Sequence, residues 1–212
     1  MVTKQFVVAW INRLAEIYHE NREYLTQLDA AIGDADHGTN MVRGFAKAVD
    51  KVGTMESQSI GDILKAVGMV LVNSVGGASG PLYGTFFMRA GMAIGDQEQL
   101  DAQAVVSLFE AGLDGVLQRG KATPGDKTMV DAMDPGLRAL KASGHAGQPL
   151  EKALQSAALA AEAGMKATIP LKAQKGRASY LGERSIGHQD PGATSTYYLF
   201  KSAYDVWGKS TG

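Results

Sequence analysis

The chain has 212 residues, no cysteine, 26 glycines and only 6 prolines. Ordinary usage would give about 15 glycines, but there is no Gly-X-Y period and too little proline for a disordered Pro/Gly tract. Basic and acidic residues balance at 21 to 22; this argues against a nucleic-acid or anionic-membrane partner, and the missing cysteines exclude a disulfide scaffold and thiol catalysis.

Helical periodicity dominates from the start, and strand signals are weak. Phe6, Trp10, Leu14 and Ile17 mark a first helix, and Met41, Phe45, Ala48 and Val52 a second. Ile60, Ile63, Leu64, Val67 and Leu71 mark a third. A fourth opens at Pro81, a residue suited to a first helical turn, and runs to about Gly95. Asp101 caps a fifth helix through Val116. Asp126 caps a sixth that runs to about Ser143 with a kink expected near Pro135. An alanine-rich seventh spans Pro149 to Thr168, and Asp190 with Pro191 opens an eighth that ends near Trp207. The uncharged stretch 66–88 is long enough for a bilayer, but its centre reads NSVGGASGP, which fits two helix ends joined by a glycine loop better. No membrane span and no secretory signal is expected, and a reducing cytoplasm suits the composition.

These eight helices predict an all-α fold, an antiparallel up-and-down barrel or bundle, in a single domain over 1–212. Three connections are short, near 53–58, 96–100 and 144–148. The other four, 20–38, 76–80, 120–125 and 169–190, all join an odd to an even helix, so an up-and-down path gathers them at one end. Twelve of the 26 glycines fall in 33–38, 76–84, 120–125 and 176–192. One active site is expected at that end.

The loops differ in chemistry. Segment 28–38 (LDAAIGDADHG) sets Asp29, Asp34 and Asp36 within eight residues. Three carboxylates suit a hard cation, and helix capping explains them less well. A calcium EF-hand is excluded because Gly38 and Phe45 stand where it needs an oxygen ligand. His37 beside them has three readings: hydrogen-bonding partner, ligand or phosphoacceptor. Segment 74–81 (SVGGASGP) leads into a helix N-terminus, a place for an anion or for a tight buried turn. Segment 119–129 (RGKATPGDKTM) begins like a P-loop, but Ala122 replaces the required Ser or Thr and a helix precedes it. Met129 there is of a type that packs on a base or in a core. Segment 175–193 (KGRASYLGERSIGHQDPGA) lies in the longest loop; 170–192 carries a net charge of +2 where 21–38 carries −3. An acidic loop facing a basic one is what metal-assisted phosphoryl transfer needs.

The four segments, in order, resemble the L subunit of dihydroxyacetone kinase over essentially the whole chain. The resemblance implies an eight-helix antiparallel barrel with ADP or ATP and two Mg²⁺ ions at one end. It implies that Asp29, Asp34 and Asp36 hold the ions. It also implies that His37, Gly38, Thr39, Asn40, Ala78, Ser79, Gly120, Met129, Arg177, Asp190, Pro191 and Gly192 line the nucleotide, with Arg177 catalytic. Fused members of the family carry a second, dihydroxyacetone-binding domain for which 212 residues leave no room. The free-standing arrangement is therefore implied. In it a K subunit binds dihydroxyacetone, and an M subunit of the phosphotransferase system rephosphorylates bound ADP. Alternatives are the same role on another small ketose or polyol, and a phosphocarrier using His37 or His188. A homodimer is compatible with the sequence.

Overall fold

In the computed structural model, which describes residues 1–208, nine α-helices follow one another: α1 (Lys4–Glu20), α2 (Arg22–Ile32), α3 (His37–Val52), α4 (Ile60–Ser74), α5 (Ser79–Ile94), α6 (Ala102–Gly120), α7 (Val130–His145), α8 (Leu150–Ala167) and α9 (Pro191–Trp207). A 3₁₀ segment, Arg177–Ser185, lies between α8 and α9. Two short strands, β1 (Val2–Thr3) and β2 (Gln99–Leu100), pair antiparallel. The expected single domain over 1–212 includes 209–212, which lie outside the described residues.

The eight expected helices are all present. They pack in chain order as a ring, α1, α3, α4, α5, α6, α7, α8, α9, and α9 returns to α1. Closure is held by side chains as well as by packing: the Trp10 indole N–H donates to the Ser202 hydroxyl at 3.0 Å, and that of Trp207 to the Phe6 carbonyl at 2.9 Å. Trp10, Phe45, Phe86, Phe87, Phe109, Phe200 and Trp207 are buried at the centre, with ring centroids 4.6 to 6.4 Å apart. Aromatic pairs at such distances favour tilted and edge-on contacts, and most of these are of that kind.

Three details differ from the sequence expectation. The segment 20–38, expected as a loop, contains α2, which stands outside the ring against α3, α9 and the 3₁₀ segment. The sixth expected helix, α7, begins at Val130 and not beside Asp126. Lys127 takes a left-handed φ of 61°, which no helix can pass through. Asp126 instead closes a turn, accepting the Thr123 N–H at 2.9 Å. The last long connection is also not irregular throughout, since its middle is the 3₁₀ segment.

The α4 and α5 backbones pack directly on each other. A β-carbon at Gly61 would stand 2.2 Å from the Gly95 carbonyl oxygen, and one at Gly84 2.8 Å from that of Gly68. Glycine is required there because two backbones touch. Among the described residues no helix is long and apolar enough to cross a membrane.

Candidate functional site

The four long connections meet at one end of the ring around a cavity of about 480 Å³. That volume lies within the range of roughly 300–1,000 Å³ usual for small-molecule and cofactor sites. The first residues of α3, α5, α7 and α9 all line it: His37, Ser79, Val130 and Pro191. The positive end of each of these helix dipoles therefore faces one space, a setting that favours anions.

Asp29, Asp34 and Asp36 stand on one wall, with a carboxylate oxygen of each within 4.8 Å of the others. Asp29 is buried near the end of α2; its Oδ2 accepts the backbone N–H groups of Asp36 at 2.8 Å and His37 at 3.1 Å. These bonds fold the chain back so that Asp34 and Asp36 rejoin Asp29. Ala35, at a left-handed φ of 62°, makes the turn. The donor set is all oxygen and anionic, the chemistry of a Mg²⁺ site whose remaining positions go to phosphate oxygens and water. Among the described residues it is the one such cluster of three metal-ligating side chains. Arg177, at the start of the 3₁₀ segment, reaches across to Asp34, Nη2 to Oδ2 3.1 Å. It is mostly exposed, as a group that meets a second molecule would be.

His37 is buried, and both ring nitrogens are engaged: Nε2 with the Ser195 hydroxyl at 2.9 Å and Nδ1 with the Ser79 hydroxyl at 3.2 Å. Ser195 already donates to the Gly192 carbonyl at 3.0 Å. It therefore accepts from Nε2–H, and Nδ1 accepts from Ser79. Burial, only partly offset by Asp29 and Asp36, holds the imidazole pKa down at about 4, so the ring is neutral at neutral pH. It links the start of α5 to α9. The Tyr83 hydroxyl extends this network to Ser195 at 2.7 Å and Thr196 at 3.1 Å.

The opposite wall comes from the other loops. Gly77 has a left-handed φ of 62°, with nothing within 4 Å of where a side chain would start. The loop before α5 thus shows bare backbone to the cavity. Asn40, which lines the cavity, has its Oδ1 tied to the Arg43 Nη2 at 2.6 Å. At α9, Asp190 caps the helix through the Ala193 N–H at 2.7 Å. Its carboxyl is pushed up to about 7, chiefly by burial and against the pull of that N–H bond. Leu82, Val116, Ala122 and Met129 form an apolar pocket wall suited to a flat ring.

Of the residues expected at the site, Asp29, Asp34, Asp36, His37, Asn40, Ala78, Ser79, Gly120, Met129, Arg177, Asp190, Pro191 and Gly192 line this one cavity. Gly38 and Thr39 do not. They lie one and two residues past His37 on α3, where the helix has turned away; Asn40, one turn on, faces the cavity again. Gly38 packs on the Arg22 carbonyl of α2, and Thr39 is exposed. The cavity wall also includes Tyr83, Arg119 and Lys127, which the motifs did not single out.

Comparison with known proteins agrees with this geometry. Residues 31–205 match the DAK2 domain family. The chain is 50% identical over 92% of its length to the ADP-binding subunit of the PEP-dependent dihydroxyacetone kinase of Escherichia coli, covering 93% of that protein. It is 42% identical to the ADP-binding subunit of the PTS-dependent dihydroxyacetone kinase of Lactococcus lactis, over 97% of this chain and 99% of that one. It is 37% identical to the L-erythrulose 1-kinase of Mycolicibacterium smegmatis, of which it spans 34%. Among solved structures, the dihydroxyacetone kinase of C. freundii in complex with AMP-PNP and Mg²⁺ superposes with a TM-score of 0.72 at 26% identity, over 95% of this chain and 34% of that one. The chain belongs to the DAK2 domain family. It is a phosphotransferase of the kinase type.

Proposed function

We propose that this chain, as one domain, is the nucleotide-holding subunit of a dihydroxyacetone kinase. In this reading the phosphoryl group of Mg-bound ATP passes to dihydroxyacetone held on a partner K subunit. An M subunit of the phosphotransferase system restores the bound ADP to ATP, and the assembly works in the cytoplasm. The observation that carries the reading is a three-carboxylate cluster met by an exposed arginine, Arg177, at a cavity rimmed by four helix N-termini.

Asp29, Asp34 and Asp36 would hold two Mg²⁺ ions, which neutralise charge on the phosphates. The backbone of 77–79 and the Asn40 amide would bind phosphate oxygens, with the start of α9 (Asp190, Pro191, Gly192) closing the site. Met129 and Gly120 would flank the base. Neutral His37 orients the Ser79 hydroxyl and carries no charge into the site. Arg177 would meet the charge that develops on the transferring group, which positioning and electrostatics stabilise. The partner brings the acceptor hydroxyl.

The named erythrulose kinases among the relatives support a second reading, the same chemistry on a four-carbon ketose presented by a different partner. A phosphocarrier role through His37 has little support, because both of its ring nitrogens are engaged within the protein.

The test is reconstitution. Purified protein should retain ADP in a Mg²⁺-dependent way. With a dihydroxyacetone-loaded K subunit it should form dihydroxyacetone phosphate from ATP, and multiple turnovers from phosphoenolpyruvate should need the M subunit. Acid-labile phosphate on nucleotide-free protein would instead favour the phosphocarrier. Turnover with erythrulose but not dihydroxyacetone would favour the second reading.

A further inference from the structure

We infer that Lys127 is a positioning residue that pins both ends of the loop carrying Arg177 and so fixes where that arginine stands opposite the acidic cluster. The role given to Arg177 rests on the kinase reading above; the pin rests on geometry. Lys127 is 1% exposed, although lysine is almost never fully buried unless its charge is satisfied. Its ammonium has three N–H donors and no acceptor. They go to main-chain carbonyls of Thr168 at 2.8 Å, Leu171 at 3.1 Å and His188 at 2.5 Å. Thr168 and Leu171 open the connection from α8 to α9, and His188 closes it. One side chain thus fastens the two ends of the segment that holds Arg177.

Neighbouring bonds tie the same base. The Gln174 N–H donates to the Asp126 carbonyl at 3.0 Å, and the Gly187 N–H to that of Ile169 at 2.8 Å. The Asp190 N–H donates to the buried Thr168 hydroxyl at 3.0 Å. Lys127 also holds a left-handed φ of 61°, a strained conformation for a residue with a side chain, which persists only where the surroundings impose it. With its donors spent on carbonyls, the ammonium has none left for a phosphate, although it borders the cavity. Its effect on phosphoryl transfer is therefore exerted through the loop.

The inference is tested with the full chain bearing Lys127→Met. Trypsin reports on the pin directly, because the loop offers Lys172, Lys175, Arg177 and Arg184. Cleavage there should be about tenfold faster than in the wild type, with cleavage after Arg119 and Lys166 unchanged, as for a local opening. The dissociation constant for Mg-ADP should change by less than about threefold while kcat falls about 100-fold, the mark of a misplaced catalytic group. Lys127→Arg, which keeps a cationic donor, should recover part of both. Unchanged loop cleavage, or cleavage rising equally at every site, would overturn the pin. So would a loss of ADP affinity equal to the loss of kcat, which would make Lys127 a nucleotide ligand. Should Lys127→Met not fold, Lys127→Gln is judged by the same criteria. If the wild type transfers no phosphoryl group to any ketose, the kinase reading fails, and the trypsin comparison still decides the pin.

Discussion

The carboxylate of Asp29 lies directly over the α-carbon of Gly33: a β-carbon at 33 would stand 2.0 Å from Asp29 Oδ1. The residue that ends α2 must therefore be glycine for the first carboxylate of the cluster to keep its place. Gly33→Ala should displace Asp29 or strain the turn, at about 1–3 kcal/mol of stability. Thermal unfolding gives the stability loss, and calorimetric titration of Mg²⁺ with ADP present should show weaker binding.

Asp29 and Asp34 should respond differently to amidation. Asp29→Asn disturbs a buried acceptor of two backbone N–H groups and should cost about 1–3 kcal/mol of stability as well as metal affinity. Asp34 is exposed and accepts no backbone bond among those described, so Asp34→Asn should leave the unfolding midpoint almost unchanged while Mg²⁺-dependent ADP retention is lost. Equal destabilisation by both would show that the cluster acts as a unit of the fold.

Arg177→Ala should reduce phosphoryl transfer about a thousandfold, the scale of an arginine acting on transition-state charge, with little change in ADP affinity. Steady-state kinetics beside equilibrium nucleotide binding separates the two. A parallel fall in both would make Arg177 a ground-state nucleotide ligand.

The pH dependence of stability should carry the signature of Asp190. Its carboxyl rises from 3.8 to about 7, through burial first, with Asp131 and Asp29 adding to the rise and the Ala193 N–H and Lys127 opposing it. The fold then keeps a proton that the unfolded chain has released. This contribution is complete below pH 3.8 and is lost as the pH climbs through 7. Against Asp190→Asn, the wild type should lose roughly 3 kcal/mol more between pH 4 and 7. Urea unfolding of both proteins at several pH values, free of nucleotide and Mg²⁺, measures the difference. Parallel curves would mean that Asp190 is ionised in the fold throughout.

The ring was legible in the sequence because each of its helices buries an apolar stripe at helical spacing, and the four-loop end followed from the lengths of the connections. The helix α2 was not. It buries Leu25, Asp29 and Ile32, a helical spacing broken to the eye by an acid at its centre. That acid is buried for the sake of the site, so function masked the local signal. The same holds for Lys127: a lysine in a Gly-Asp-Lys-Thr turn reads as solvated, and its partners lie 41 to 61 residues away. The engagement of His37 by Ser195, 158 residues on, is equally beyond local pattern. The acidic and glycine-rich motifs could be read because their chemistry sits within a few consecutive residues.

The alternating direction of the ring helices has an electrical consequence. Beside each helix that begins at the cavity stands one that ends there, so at a distance their dipoles oppose one another and largely cancel. With a net charge of −1 the molecule adds little field of its own. The attraction felt by a phosphate is confined to within about one helical turn of the four N-termini. Such a protein does not draw nucleotide in from solution. On the reading proposed above, it grips what has already arrived, and its hold on nucleotide lies in the rate of departure and not in the rate of encounter.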